Sequence, residues 1–286
     1  MAFRAAVPGD APAIERFLVA RAETSMFLRS NLLRHGPCGG DAPEATRMWL
    51  QEGAEGLAGV LGLSTAGFVL VQLPGGADAD ELRQLLGSAE LRGIFGATDQ
   101  VIAARQALRL VEAEVRFEDD EPLYALSLDR LLIPDGTSRL RQAEDADRAH
   151  LADWRVDYLA ETLHFTREEA AAQALQDVTG MIERGSLMLL ETAAGEPLAM
   201  TSFNAIVPDM VQIGNVYTPP SLRGLGHARR AVALHLDLAR SRGVTRAILF
   251  ASGEAASKAY EAIGFVLNGR FSLVFFAQPQ SLVEPA

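Results

Sequence analysis

The strongest constraint on the fold is a pattern that occurs twice, at a constant offset of 137 residues. Phe3–Phe17 reads FRAAVPGDAPAIERF, and Leu140–Trp154 reads LRQAEDADRAHLADW. In both segments an Arg is followed six residues later by an Asp, and then by an apolar and an aromatic residue at matching positions. Each segment is typical of a short strand, a polar turn and an amphipathic helix. The repeat therefore predicts two domains of similar fold.

A turn-rich segment marks the expected boundary between these domains. Ile133–Ser138 reads IPDGTS, and its Pro, Asp and Gly are residues that tight turns favour. A length of 286 residues also suits two domains of ordinary size. We therefore predict a first domain over residues 1–133, a linker at this segment, and a second domain over residues 138–286.

The second half has the clearer succession of elements. Helical periodicity covers residues 144–163 and 167–184, and short apolar runs bounded by turn residues indicate strands. The remaining predicted elements are strands at 186–191, 198–207, 210–217, 245–250 and 271–276, and helices at 226–242 and 253–264. The strand at 271–276 is expected to close this sheet, and a strand pair near residues 111–128 is expected to close that of the first half. The order predicts an α/β fold in which each domain is a central mixed sheet flanked by helices.

Charge and composition exclude several classes of function. The net charge of −11 disfavours nucleic acid as a main partner, because phosphate binding needs a basic surface. The single cysteine, Cys38, forms neither an internal disulfide nor a thiolate zinc site, so no metal is expected.

No membrane partner is expected either. The longest uncharged run, Gly56–Ala77, contains Ser64-Thr65 and several glycines, and so predicts two buried strands around a turn instead of a membrane span. The N-terminal residues contain no apolar segment of signal-peptide length. A cytoplasmic protein is expected.

A glycine-rich turn in front of the helix at 226–242 predicts an anion site. The first turn of a helix has unpaired N–H groups and the positive end of the helix dipole. Gly224 and Gly226 let a phosphate approach these amides, and Arg223 adds a positive charge. The spacing fits neither the dinucleotide nor the P-loop pattern, but it fits [RQ]-x-x-G-x-[GA] at Arg223, Gly226 and Ala228.

With this loop and this order of elements, residues 138–277 resemble the GNAT superfamily of acetyl-CoA-dependent N-acyltransferases. Arg223–Ala228 is similar to the pyrophosphate loop of the family. The segment NVYTPP, which begins at Asn215, is similar to the end of the family's fourth strand. SKAYEAIGF, Ser257–Phe265, is similar to its second motif. The resemblance implies two GNAT-like domains, acetyl-CoA as co-substrate, and a first domain that is a degenerate copy.

The resemblance also implies roles for particular residues. Tyr260 is the expected general acid that protonates the departing CoA thiolate. Backbone groups at the end of the fourth strand are expected to pair with the pantetheine arm, and Lys258 to approach a CoA phosphate. The implied cofactor-binding residues are Val216, Tyr217, Thr218, Arg223, Gly224, Leu225, Gly226, His227, Ala228 and Lys258.

Two positions depart from the family pattern. The family often has an Asn seven residues before the Tyr, where this chain has Gly253. It often has a Glu as general base eleven residues before the loop Arg, where this chain has Gln212, an amide that cannot take a proton at neutral pH. The base could instead be Glu161, His164 or a water relay, or none is needed if the amine arrives neutral.

The first half has no counterpart of the basic loop. Phe68–Gly87 stands in the place of strand, loop and helix, with Asp78, Asp80 and Glu81 where the second half has Arg223. Acidic side chains at a helix start suit the helix dipole without any ligand, and they would repel a pyrophosphate. We predict that this half has lost the cofactor site and either forms one side of a substrate cleft or has a purely structural role.

The function implied by the resemblance is acetyl transfer from acetyl-CoA to an amine of a small molecule. The amine would attack the thioester directly, and a backbone N–H near Val216 or Tyr217 would stabilise the oxyanion. Two alternatives stay open: an acyl-CoA sensor with weak catalysis, and a tandem-domain acyltransferase for a larger substrate. A sensor has no need of Tyr260, so this residue distinguishes the first alternative from an enzyme.

Overall fold

A computed structural model describes residues 2–282, which form two compact units. Of these residues, the first unit contains 2–121 and 269–282, and the second contains Pro122–Asn268. The elements up to residue 127 are β1 (Phe3–Ala5), α1 (Ala11–Val19), α2 (Ala22–His35), β2 (Thr46–Gly53), β3 (Gly56–Ser64), β4 (Phe68–Gln72), α3 (Ala79–Leu86), β5 (Leu91–Ala97), α4 (Thr98–Ala107) and β6 (Val115–Ser127). The later elements are β7 (Arg139–Gln142), α5 (Arg148–Thr162), α6 (Arg167–Glu183), β8 (Leu187–Glu191), β9 (Pro197–Val207), β10 (Met210–Tyr217), α7 (His227–Ser241), β11 (Arg246–Phe250), α8 (Glu254–Glu261) and β12 (Val266–Gln280).

Each unit is built on a mixed sheet flanked by helices, which confirms the predicted fold class. The strands of the first unit follow the order β1-β2-β3-β4-β5-β12, and only β4 and β5 among them are parallel. In the second unit the last part of β6 is followed by β11-β10-β9-β8-β7, and only β10 and β11 are parallel. Both units therefore have one parallel pair at the centre of an otherwise antiparallel sheet.

The repeated Arg and Asp form the same ion pair in both units. The Nη1 and Nη2 atoms of Arg4 donate to the two carboxylate oxygens of Asp10 at 2.7 and 2.9 Å. Arg141 makes the same two bonds to Asp147 at 2.6 and 2.8 Å. In both units the carboxylate also accepts a bond from the backbone N–H three residues before it. A bidentate pair of this kind joins the first strand to the turn that begins the following helix, which explains the repeated spacing of six residues.

The closing strands do not pair where the sequence analysis expected, and those two predictions are wrong. Phe271–Phe275 of β12 pairs with β5 in the first unit instead of closing the second. Leu123–Ser127 of β6 pairs with β11 in the second unit instead of closing the first. An apolar strand pattern indicates burial, but it does not specify which strand edge supplies the backbone partners. The compact units consequently divide the chain after residues 121 and 268, and differ from the predicted domains 1–133 and 138–286.

The segment expected to be a linker is attached to the second unit. The guanidinium of Arg230 on α7 donates to the backbone carbonyls of Pro134, Gly136 and Ser138. It also donates to the Ser138 hydroxyl at 2.8 Å. One arginine thus holds three backbone carbonyls of this segment against the helix, so the segment is part of the second unit.

The uncharged run at Gly56–Ala77 forms β3 and β4 around a turn, as predicted. Across residues 2–282 every helix is too short or too polar to cross a membrane.

Helix α7 packs its apolar face into the core of the second unit and includes a buried histidine. His235 is 3% exposed, and its ring stacks on Phe203 with the two ring centroids 3.7 Å apart. Burial, followed by the charge of Arg242, lowers the pKa of His235 to about 3. The neutral ring is therefore the form that packs in the folded protein.

This burial predicts a pH dependence of stability. The unfolded chain takes up a proton on His235 near its ordinary pKa of 6.5, and the folded chain does so only near 3. The stability from the neutral ring is therefore complete above pH 6.5 and is lost as the pH falls toward 3. In urea titrations the free energy of unfolding of the parent should fall between pH 8 and pH 5. The fall in His235→Phe should be smaller than that of the parent by on the order of 2 kcal/mol. Equal losses would show that the imidazole titrates normally.

The strand arrangement predicts which fragment folds. A fragment of residues 122–268 keeps Leu123–Ser127 on β11, together with Tyr124, Leu126 and Leu128 in the core. A fragment of residues 136–286 lacks that strand and leaves β11 with an open edge. We expect cooperative urea unfolding of the first fragment, measured by circular dichroism, and markedly lower stability for the second. Higher stability of the 136–286 fragment would contradict the pairing described.

Candidate functional site

The central parallel strands of the second unit stop pairing soon after they begin. β10 and β11 are in register only from Met210 to Gln212, opposite Arg246 to Ile248. In the first unit β4 and β5 stay paired from Phe68 to Val71, near the end of β4. The side chain of Gln100 then closes that end, because it accepts from the Leu73 N–H and donates to Gln72. The strand ends thus separate in the second unit and are bridged in the first.

The glycine-rich turn lies directly before α7, as predicted. Gly224 and Gly226 have φ angles of +78° and +82°, a left-handed conformation that glycine adopts at little cost. Gly226 is the N-cap of the helix and supplies no side-chain bond to the first-turn amides. Leu225 is exposed, and His227 and Ala228 begin the helix. The turn therefore presents backbone N–H groups that neither Gly224 nor Gly226 covers with a side chain of its own.

Arg223 is held beside this turn by two groups of the protein. Its Nε donates to the Thr218 carbonyl at 2.9 Å, and its Nη2 donates to a carboxylate oxygen of Glu161 at 2.6 Å. The guanidinium carbon also lies 5.5 Å from the centre of the Tyr217 ring. The ion pair is roughly half exposed on both sides, so it contributes at most about 1 kcal/mol. An anion at the turn would therefore compete with Glu161, a candidate base, for Arg223.

The residues at the end of β10 differ in what they can offer. Tyr217 is buried, and its hydroxyl donates to Asp157 at 3.1 Å while its ring packs on Trp154. Burial, followed by the hydrogen bond to Asp157, raises the pKa of Tyr217 to about 12. Its side chain therefore belongs to the core. The Thr218 hydroxyl is buried without a hydrogen-bond partner in the described part of the chain.

Tyr260 and Val216 lie in one apolar cluster, so the structure brings the two motifs together. Tyr260 is 7% exposed on α8, with its ring edge toward Phe265 at a centroid distance of 6.1 Å. Lys258 is exposed on the same helix and pairs with Glu254 at 2.7 Å, so its cation is already engaged.

The two departures from the family pattern have physical explanations or consequences. Gly253 precedes α8 with a φ of +131°, a conformation that is almost restricted to glycine, so an Asn would be strained there. Gln212 is fully buried, and within residues 2–282 neither its amide nitrogen nor its amide oxygen has a hydrogen-bond partner. A buried amide without partners costs folding free energy, which makes Gln212 a residue that a bound group could satisfy. Of the other candidate bases, His164 is exposed.

A cavity beside the turn includes an arginine that the sequence analysis did not single out. Its volume is about 290 Å³. Arg229 lines it and lies over Gly226, where an added Cβ would be 3.1 Å from the arginine Nε. Its position three residues after the N-cap, on the helix surface, is the signal that could have identified it. The full lining is Pro134, Asp135, Gly136, Thr137, Ser138, Thr192, Leu198, Leu225, Gly226, His227, Arg229 and Arg230.

Comparison with known protein families finds a match within the second unit. Residues 142–265 match a family model described as the acetyltransferase (GNAT) family. No curated protein sequence matches the chain.

Several solved structures have a similar fold at low sequence identity. An X-ray structure of a Drosophila protein aligns over 96% of this chain and 98% of its own, with a TM-score of 0.64 and 14% identity. A GCN5-related N-acetyltransferase from Kribbella flavida aligns over 90% and 95%, with a TM-score of 0.56 and 17% identity. A tandem GNAT protein from the clavulanic acid biosynthesis pathway, solved without AcCoA, aligns over 99% of both chains, with a TM-score of 0.55 and 15% identity.

The position of Arg223 predicts how charge reversal affects coenzyme A binding. Arg223→Glu should weaken binding of coenzyme A by roughly tenfold or more, because charge-assisted bonds to the diphosphate are lost. Pantetheine, which lacks the diphosphate, should lose far less. Isothermal calorimetry with both ligands measures the difference. Arg240→Glu, near the other end of α7, is the matched control and should change neither affinity. Equal losses for both ligands would point to a folding defect and refute the phosphate role.

Proposed function

We propose that residues 142–265, which match the acetyltransferase (GNAT) family model, form a domain that transfers an acetyl group from acetyl-CoA to an amine of a small molecule. The observation that carries the proposal is the combination of two features in the second unit. β10 and β11 separate after Gln212, and the bare glycine turn precedes α7, the helix that follows β10. An extended thioester with a diphosphate at one end needs both a gap between strands and a cradle for anions.

The chain offers a specific place for each part of the co-substrate. The diphosphate would accept bonds from the amides between Gly224 and Ala228, with charge from Arg223. The pantetheine arm would run along the backbone of Val216–Thr218, where β10 no longer pairs with β11. The buried Thr218 hydroxyl is a further donor on that path. Lys258 would have to leave Glu254 to contact a phosphate, so we assign it the smaller contribution.

The proposed reaction is direct attack of the amine nitrogen on the thioester carbonyl carbon. The carbonyl oxygen gains negative charge, and a backbone N–H at Val216 or Tyr217 stabilises it. The carbon–sulfur bond then breaks, and Tyr260 donates its phenolic proton to the leaving thiolate. Gln212 cannot take the proton that the amine loses, and Glu161 is paired with Arg223. We therefore propose that the amine reacts in its neutral form, and that water carries the proton released from its nitrogen to the Tyr260 phenolate, which restores the phenol.

The first unit supports the view that only one of the two halves uses the co-substrate. Its central strands remain paired and are closed by Gln100. The Asp78 carboxylate caps α3 by accepting from the Glu81 N–H at 3.0 Å, so that helix start is already occupied by an anion of the protein. We propose that the first half has no acetyl-CoA site.

A sensor that binds acyl-CoA without efficient catalysis is the second candidate. Gln212 favours it, because the position of the usual base holds a buried amide that titrates at no accessible pH. A larger acceptor is the remaining alternative to the small amine. The identity of the acceptor and the cytoplasmic location stay predictions.

Turnover tests the enzyme against the sensor. Acetyl-CoA is mixed with a panel of primary amines, and the release of free CoA thiol is measured with and without the protein. Protein-dependent CoA release with any amine supports the transferase. Tight acetyl-CoA binding without release, across a panel that includes larger amines, would favour the sensor.

Tyr260 gives the sharper prediction. Tyr260→Phe keeps the buried ring and removes only the hydroxyl, so turnover should fall by about 10²–10⁴-fold while CoA affinity and melting temperature change little. Tyr124→Phe is the matched control, because it also removes a tyrosine hydroxyl from this apolar cluster. That hydroxyl donates to Glu261 at 2.7 Å. The control should lower the melting temperature and leave turnover unchanged. Unaltered turnover of Tyr260→Phe would leave Tyr260 as a core residue only.

A further inference from the structure

The pairing between β9 and β10 contains two irregularities that compensate each other. Gln212 lies opposite Ala205, but Ile213 lies opposite Phe203, so β9 has one extra residue, Asn204. Further along, Gly214 lies opposite Ser202 and Tyr217 opposite Met200, so β10 has one extra residue in turn. The original register returns after the second bulge. Asn215 and Val216 therefore share one opposite residue on β9, Thr201. At this point β10 no longer pairs with β11.

Asn215 has an unusual backbone conformation at this bulge. Its φ is +52°, in the left-handed region, where asparagine is more readily accommodated than most other non-glycine residues. The residue before it is constrained as well. A Cβ at Gly214 would lie 2.0 Å from the side-chain nitrogen of Asn204 and 2.3 Å from its oxygen, so a larger residue there would displace Asn204 from its present position.

Three side chains hold Asn215 in place, Asn204 and Arg155 directly and Asp177 through Arg155, and we refer to Asn204, Asn215, Arg155 and Asp177 as the bulge clamp. The Asn215 amide donates to the Asn204 amide oxygen at 2.9 Å and accepts from Arg155 Nη1 at 2.5 Å. The Nε and Nη2 atoms of Arg155 donate to one carboxylate oxygen of Asp177 at 2.9 and 2.6 Å. The side chain of Arg155 is only 12% exposed. The clamp therefore ties the bulge in the sheet to both α5 and α6.

We propose that Arg155 is a positioning residue for acyl transfer: through the bulge clamp it fixes Asn215 in the left-handed conformation and so directs the backbone N–H groups of Val216 and Tyr217 at the thioester oxygen. The proposal rests on the proposed function of the second unit. The peptide between Asn215 and Val216 turns with the backbone angles of Asn215, so the direction of the Val216 N–H follows from that conformation. Donors for a developing oxyanion act through fixed orientation, and a small misalignment removes most of their effect.

A residue that only stabilised the fold would give a different pattern. Loss of a structural ion pair lowers the melting temperature and weakens the binding of CoA and acetyl-CoA alike. Misorientation of the backbone N–H groups removes a hydrogen bond that only the thioester carbonyl accepts. The affinity for CoA, which has no acyl carbonyl, is then unaffected. The ratio of acetyl-CoA affinity to CoA affinity therefore distinguishes misoriented N–H donors from a destabilised fold. It can be measured without knowing the acceptor amine.

The experiment compares variants of the full chain by calorimetry with acetyl-CoA and with CoA. Arg155→Met and Asn215→Ala should each lower the acetyl-CoA to CoA affinity ratio by about fivefold, the effect of one lost hydrogen bond. Asn215→Gly should retain more of the ratio than Asn215→Ala, because glycine reaches a positive φ without a side chain to hold it. Arg155→Lys keeps a cation but lacks the planar guanidinium that bonds Asn215 and Asp177 at the same time. It should therefore retain the affinity ratio only in part.

Arg148→Met is the matched control. Arg148 lies two turns earlier on α5, about 10 Å along the helix axis, and is also ion-paired, with Asp145 at 2.5 Å. The acetyl-CoA to CoA affinity ratio of Arg148→Met should equal that of the parent.

Each outcome decides between the explanations. A lowered ratio in Arg155→Met and Asn215→Ala, with CoA affinity kept, supports the positioning role. An unchanged ratio in both variants, whatever their melting temperatures, overturns it and leaves the proposed function standing. Failure of the parent protein to bind CoA overturns the proposed function and this inference together. Where an active amine is found, the same two variants should lower kcat more than they raise KM for acetyl-CoA.

Discussion

The site depends on one constraint, the separation of two parallel strands that pair for only three residues. Backbone N–H and C=O groups inside a protein must find partners, so strands part only where other groups meet that demand. In the second unit a bulge on β10 and a compensating bulge on β9 redirect the backbone, and polar side chains from α5 and α6 hold it. Without that separation, β10 and β11 would stay in register as β4 and β5 do, and no backbone would be open to a ligand.

Unsatisfied polar groups gather along the same strand and its end. In the described part of the chain, Gln212 and Thr218 both have buried polar atoms without partners, although such atoms lower stability. Gly224 and Gly226 add amides that no side chain caps, and Arg223 is held nearby by an exposed and therefore weak ion pair. This distribution is what a site for an extended, anionic and carbonyl-bearing ligand requires. It fits the proposed use of acetyl-CoA better than a purely structural role would.

The two units show how one framework gives different sites. The Arg–Asp pair that joins strand to helix start is present in both, at Arg4–Asp10 and Arg141–Asp147. The differences lie at the ends of the central strands and at the helix that follows. There the first unit has an acidic cap and a glutamine bridge, whereas the second has glycines and an arginine. Local residues at strand ends, and not the framework, therefore separate the two halves.

The sequence by itself determined what depends on local chemistry. The repeated spacing of Arg and Asp, the periodicity of the helices and strands, and the left-handed glycines before α7 are all short-range features, and each can be inferred from neighbouring residues. Tertiary structure alone decided which edge each closing strand pairs with, because burial patterns do not identify a hydrogen-bond partner. It also decided that Gln212 finds no hydrogen-bond partner among the described residues and that Arg155 reaches Asn215, sixty residues away in the chain. Those facts depend on contacts between distant segments, and no spacing in the sequence encodes them.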